Sequence, residues 1–341
     1  MFTYPPQDRS TSSRGARRTI ATLALVTLLA SGLALSHPAP AAAASRGTYV
    51  LIQVDRPADL LRAKTALRHA LRVDGVIGLS VRVPWKTLEP RANRYHFRVL
   101  KIARRIAGPE ALQIRFMAGR FTPRHALGNS MTYDGTATRG LGTGSTIPLP
   151  FGRDGGPNGR FEREWKQLTA KLIRWAKGHR VHLVHLSWPG LLWAELALID
   201  QMTRQPGYSY RAAKRTHLRL MDFALARSTR RLDVELPITG HAPNQLYFDI
   251  TRHLLRHRLT NRMLLGMANL SDSTGGLAAA GDRPPPRRGA QLYGQSNTYD
   301  WAQVYRNARS IYAEYVEVYL NSFRGGTSGQ LEVEARRFRS G

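Results

Sequence analysis

The chain has 341 residues, 42% hydrophobic and 22% charged, which is enough for a sizeable core and excludes disorder throughout. Its net charge of +28 points to polyanionic partners: nucleic acid, anionic lipid or acidic polysaccharide. The absence of cysteine excludes disulfides, thiolate nucleophiles and thiolate metal ligands.

Arg14, Arg17 and Arg18 precede an apolar run over 19–35, and small residues follow as far as Ala44. That is the layout of a secretory signal, read by either the Sec or the Tat route, with a retained N-terminal anchor as the alternative. Residues 1–45 are therefore set aside from the fold, and the protein is expected in the secreted or cell-envelope fraction. Residues 46–325 read as one domain and 326–341 as a C-terminal tail. No later segment is apolar enough to span a bilayer, so no stable membrane insertion is expected after cleavage.

From residue 48 the chain alternates two periods. Short β-branched runs occur at 48–54, 77–85, 112–119, 181–188, 232–240, 262–269, 290–297 and 315–323. Amphipathic stretches with apolar residues three and four apart lie between them, as in "FEREWKQLTAKLIRWAKGH". Eight strands alternating with helices are what an α/β fold of the (β/α)8 TIM-type barrel requires. A doubly wound open sheet is the alternative, but no Gly-rich phosphate fingerprint follows the first strand. The connections over 120–159 and 271–289 are too long for turns. Both follow strands, so both belong to the C-terminal face of a barrel, where active sites sit.

Several segments carry a family resemblance. "GLSVRVPWKTLEPRANRYHF", residues 78–97, resembles the second-strand region of clan-A-type glycoside hydrolase barrels, with an Arg on the strand, a Pro, an aromatic and a "W..LEP..G.Y.F" signature. "LQIRFMAGRFTPR" and "PLPFGRDGGPNGRFEREW" look like the next strand, loop and helix. "VHLVHLSWPGLLWAEL" looks like the fourth strand, after which these enzymes keep an acid/base Glu, and "AEYVEVYLNSF" like the last. The resemblance implies an exported (β/α)8 glycoside hydrolase that cleaves a polysaccharide or oligosaccharide with two carboxylates and no cofactor. It assigns Glu195 as the acid/base. Where such enzymes place a nucleophile at the end of the seventh strand, this chain reads Gln295-Ser296-Asn297, and an amide cannot form a glycosyl ester.

The residues also speak for themselves. Glu195 stands among Trp193 and several leucines, and apolar surroundings favour the protonated carboxyl that a proton donor needs. A carboxylate capping a helix start is the alternative. Glu317, inside a strand of aromatics and valines, must be functional or paired. We take it as the second catalytic carboxylate, with a buried ion pair to Arg82 as the alternative. Glu235 and Asp272 are further candidates. Arg82 could orient a carboxylate, and Trp85, Trp188, Trp193, Tyr293 and Trp301 could stack on sugar rings, although aromatics at strand ends are as often core. His241, Asn269, Gln295 and Asn297 could bind hydroxyls.

His182 and His185 are three apart on a strand and so face opposite ways, and no paired metal spacing occurs elsewhere. Neither a metal nor a cofactor is expected. A carbohydrate, and an anionic polysaccharide given the charge, is the expected partner. Two other functions remain open: a non-catalytic carbohydrate-binding barrel, and a basic protein coating polyanions. No motif for specific nucleic-acid binding supports the last, and oligomeric state is not legible.

Overall fold

The computed structural model describes residues 46–128, 130–135, 145–149, 151–152, 156–187, 204–205, 208–228, 233–238, 263–270, 288–292 and 299–341. Ten strands are described: β1 (Gly47–Gln53), β2 (Val76–Pro84), β3 (Ala111–Met117), β4 (Thr132–Gly135), β5 (Ser145–Pro148), β6 (Val181–His185), β7 (Asp233–Ile238), β8 (Met263–Leu270), β9 (Arg288–Leu292) and β10 (Ala313–Tyr319). All but β4 and β5 pair in parallel and in chain order, and β10 returns to β1 to close the barrel. Each of the eight runs read as a strand contains a strand, although 188, 232, 239–240, 262 and 293–297 lie outside the described residues and 320–323 form a 3-10 turn, and the (β/α)8 barrel is the fold. Closure leaves no unpaired edge, which is why a parallel sheet of this size is stable.

The described helices are α1 (Pro57–Ala70), α2 (Trp85–Leu88), α3 (Arg98–Ala107), α4 (Arg124–Leu127), α5 (Gly159–Lys177), α6 (Tyr210–Leu225), α7 (Trp301–Ser310) and α8 (Ser328–Ser340). Their starts follow from local chemistry. In α1, Pro57 supplies a preset φ and Asp59 accepts from the Arg56 amide at 2.9 Å. Ser209 and Asp300 cap α6 and α7 by accepting from Ala212 and Gln303. The described residues of the long connection over 120–159 include α4 and the antiparallel pair β4–β5, whose Tyr133 and Ile147 pack with Ala212 and Ala213 of α6.

Alternation along the strands sorts side chains into two cores. Val50, Val81, Ile114, Val184, Val316 and Val318 face outward beneath the helices. Tyr49, Leu183 and Tyr315 face inward and form an apolar floor in the barrel interior. Gly78 of β2 is required there, because a Cβ would overlap the Tyr49 ring and the Ala111 carbonyl.

The residues after 325, set apart as a tail, form α8. Leu331, Ala335 and Phe338 are buried, and Phe338 lies 5.4 Å from the Tyr305 ring of α7. Gly75, at φ +91°, lets the β1–β2 connection pass against the Ala335 backbone, where a Cβ would collide. This helix therefore completes the outer layer over β1. Phe338→Ala is expected to lower the unfolding free energy in urea by about 3–5 kcal/mol, whereas a detached tail would leave it unchanged.

His217 of α6 is wholly buried and its pKa is pushed down to about 4 by desolvation, with its Nδ1 2.8 Å from the Ala213 carbonyl. Because the folded value lies below the unfolded one near 6.5, stability is full above pH 6.5 and falls as the pH drops towards about 4. His217→Gln is expected to flatten that part of the pH–stability curve, which the wild type should show as a loss of roughly 3 kcal/mol.

Candidate functional site

Among the described residues, the C-terminal half of the barrel interior carries a polar layer. Above the apolar floor lie Ser80 and Arg82 of β2, Gln113 and Arg115 of β3, His185 of β6, and Glu317 and Tyr319 of β10. Glu317 has no exposed surface. Arg115 Nε approaches both of its oxygens, at 2.8 Å to Oε1 and 2.7 Å to Oε2, and the Ser80 hydroxyl donates to Oε1 at 2.5 Å. The guanidinium supplies the countercharge and the hydroxyl a further donor, as a carboxylate out of reach of water requires. Together they tie the last strand to the second and third across the barrel.

The ion pair held as the alternative role of Glu317 is made with Arg115, not with Arg82. Register does not separate the two arginines: Arg82 and Arg115 are paired, and both stand two inward-facing positions beyond the level of Glu317, which pairs with Tyr49 and through it with Gly78. Their side-chain partners do separate them. Arg82 donates instead from Nη1 to the Tyr319 hydroxyl at 3.0 Å, with its guanidinium carbon 5.6 Å from the Tyr319 ring centre. Arg82 and Tyr319 lie nearer the open end, and the Glu317 network lies beneath them.

Two of the proposed sugar platforms belong to the core. Trp85 is fully buried in edge-to-face contact with Phe116 and Phe161, and its Nε1 donates to Glu89. Trp301 is also fully buried and donates to the Thr327 hydroxyl at 2.9 Å. Both fill space between sheet and helices. Asn269 lies on β8, and Glu235 lies on β7 in register with His185. Trp188, Trp193, Glu195, His241, Asp272, Tyr293, Gln295 and Asn297 lie outside the described residues.

The histidine geometry differs from strict alternation. Between Leu112↔Val181 and Gln113↔Leu183 the β3–β6 register shifts by one residue, leaving His182 as a bulge. His182 Nδ1 comes within 3.3 Å of the Tyr49 hydroxyl in the barrel floor, while His185, two residues on from the floor residue Leu183, also faces inward.

A second polar cluster was not anticipated. One ligand atom from each of Glu89, His125 and Glu164 lies within 4.8 Å of the other two. These residues come from the β2–α3 connection, α4 and α5, so no short spacing announces them. The only sequence hint is the Glu of the "LEP" signature.

No protein-family model matches the chain. A search of curated proteins likewise finds no match. Solved structures do share the architecture. The catalytic domain of a β-amylase from Paenibacillus polymyxa superposes with a TM-score of 0.55 at 10% identity, over 86% of this chain and 99% of that one. A GH5-4 broad-specificity endoglucanase from an uncultured bacterium gives 0.51 at 10% identity, over 88% and 95%. A β-galactosidase from Bacillus circulans sp. alkalophilus gives 0.51 at 10% identity, over 87% of this chain and 55% of that one. The chain shares the (β/α)8 barrel fold of these structures. In that fold the C-terminal end of the strands, where Arg82, Tyr319 and the Glu317 network lie, is the functional end.

The Arg115–Glu317 pair yields a test of its own. Glu317→Gln is expected to cost about 3–5 kcal/mol, because it leaves a buried guanidinium without its countercharge. Replacing both partners by Met and Leu should cost less than that single change. Urea denaturation of the two variants and the wild type reads the difference, and additive effects would refute a mutually compensating pair.

Proposed function

We propose that the chain is an exported carbohydrate-binding barrel of glycosidase-like fold, with the sugar lying over the Arg82–Tyr319 end of the barrel. The observation that carries this reading is the contrast inside the barrel. A packed apolar floor of Tyr49, Leu183 and Tyr315 gives way to a hydrogen-bonded, charged layer at the C-terminal end. Tyr319 offers a ring, and Arg82 offers donors suited to hydroxyl or carboxylate groups. The net charge of +28 favours an anionic polysaccharide. Glu317 does not serve as a nucleophile in this reading. Its carboxylate is held by Arg115 and Ser80 with no exposed surface, so it positions the strands that frame the site.

A hydrolase reading rests on Glu195, which follows the fourth barrel strand in the chain and is suited to donate a proton to a leaving oxygen. It needs a second carboxylate other than Glu317. Glu235 of β7, in register with inward-facing His185, is the described residue best placed along the sheet for that role.

Calorimetry against neutral and anionic oligosaccharides separates these readings. Binding to an anionic sugar, weakened about tenfold by Tyr319→Ala and by Arg82→Lys, is expected. Affinity for none of them would overturn the proposal, as would binding that only follows salt and ignores both substitutions. Release of reducing ends by the wild type, abolished in Glu195→Gln with binding retained, would favour the hydrolase. Mass spectrometry of the exported chain is expected to find a mature N-terminus close to Ser45, and an intact 1–45 segment would favour the retained anchor.

A further inference from the structure

The Glu89–His125–Glu164 cluster is unusual in its charge balance. Glu89 is fully buried and Glu164 nearly so, at 7% exposure. Each Glu89 oxygen accepts one fixed donor: Oε2 from Trp85 Nε1 at 2.9 Å and Oε1 from the Asn93 amide at 2.9 Å. Asn93 takes φ 59° to turn that amide inward. His125 Nε2 lies 3.5 Å from Glu89 Oε1 and makes no hydrogen bond. Glu164 Oε1 meets Arg163, a largely exposed side chain, at 3.3 Å. Glu164 Oε2 is buried with no hydrogen-bond partner. Two carboxylates thus share a buried space with an imidazole nitrogen and an oxygen that are both unsatisfied.

Unsatisfied buried acceptors call for a cation or a proton. The donor set favours a metal ion. One imidazole and two carboxylates are hard-to-borderline ligands suited to a divalent first-row ion such as Zn2+. Oxygen and nitrogen ligands sit ~2.0–2.2 Å from such an ion, so donors within reach of one another here need only shift by about 1 Å to converge. The Trp85 and Asn93 donors hold the Glu89 carboxylate in orientation, as outer partners of metal ligands do. Burial raises the Glu89 pKa, with the Glu164 charge adding to it and the Trp85, Asn93 and His125 contacts opposing it. A bound cation would relieve both the burial and the repulsion.

We propose that Glu89, His125 and Glu164 bind one divalent ion of the Zn2+ class, pinning the β2–α3 connection to α4 and to the first turn and a half of α5. The site is structural and independent of what the barrel mouth binds. It also gives the "LEP" glutamate a role: Trp85, one turn earlier, orients the ligand that Glu89 presents to residues far away in sequence.

The test uses the full chain stripped with a chelator and titrated with Co2+, whose visible d–d bands report an ordered protein site. One Co2+ per chain is expected, displaced by Zn2+, with the Tm raised by several degrees at saturation. His125→Gln and Glu164→Gln are each expected to weaken Co2+ binding at least 100-fold. Because the chain has no cysteine, X-ray absorption of the Zn2+-loaded wild type should show nitrogen and oxygen ligands with a single imidazole. Absence of ordered Co2+ bands in the wild type would overturn the proposal in favour of a proton shared between the carboxyls. Unchanged bands in His125→Gln, or two or more imidazoles in the wild-type spectrum, would overturn it by placing the metal elsewhere. The absorption measurement decides the matter even if neither variant folds.

Discussion

A carboxylate enclosed by protein on every side has to find its countercharge within the fold, and Glu317 finds it three strands away inside the barrel. Arg115 stands on the third strand and Ser80 on the second, while Glu317 belongs to the last. The contact requires the last strand to be paired with the first, because β1 and β2 lie between β10 and β3. Desolvation thus makes this polar group conditional on the correct strand order. An open or misregistered sheet would strand a charge in low dielectric. The apolar floor beneath it and the helix layer around it have no such selectivity, since any well-packed apolar set would serve.

The same alternation of strand side chains gives the barrel two interiors of different character. Among the described residues the outer one, between sheet and helices, is mostly apolar and takes in Trp85 and Trp301 along with the β-branched strand residues. The inner one grades from tyrosine and leucine at the floor to arginine, glutamate and tyrosine towards the C-terminal end. Function in such a fold concentrates where the gradient ends, because there the strand termini and their loops can meet a ligand without disturbing the packing below. The Glu89 cluster comes from segments that follow the second and third strands, the β2–α3 connection, α4 and α5, yet it faces the outer core through Trp85. It reads as a fastening of the scaffold.

Much of the architecture was legible because it depends on periods. Eight β-branched runs and the three-and-four spacing of α1, α5 and α6 are properties of short windows, and each became the element read from it. The last helix was missed for the same reason. Residues 328–340 are rich in Arg and Glu, and only the docking of Leu331, Ala335 and Phe338 gives the helix its place. At the site, the need of Glu317 for a partner was legible from the cost of burying a charge. Which arginine would answer was not, because Arg82 and Arg115 occupy equivalent positions on adjacent strands, paired in register. Trp85 and Trp301 looked alike to Trp188 and Trp193 as aromatics near strand ends, and only packing assigns the first two to the core.

The sequence by itself determined the strand and helix alternation, hence the barrel, and the chemical necessity that its buried acids be compensated. These follow from local periodicity and from the cost of desolvation, neither of which needs a partner to be named. Tertiary structure alone decided that Glu317 belongs to Arg115 and Ser80, that a one-residue bulge brings His182 to the barrel floor, and that Glu89, His125 and Glu164 converge. Those outcomes depend on register, shear and loop path, which are set by the closure of the whole sheet and leave no trace in any short window of the chain.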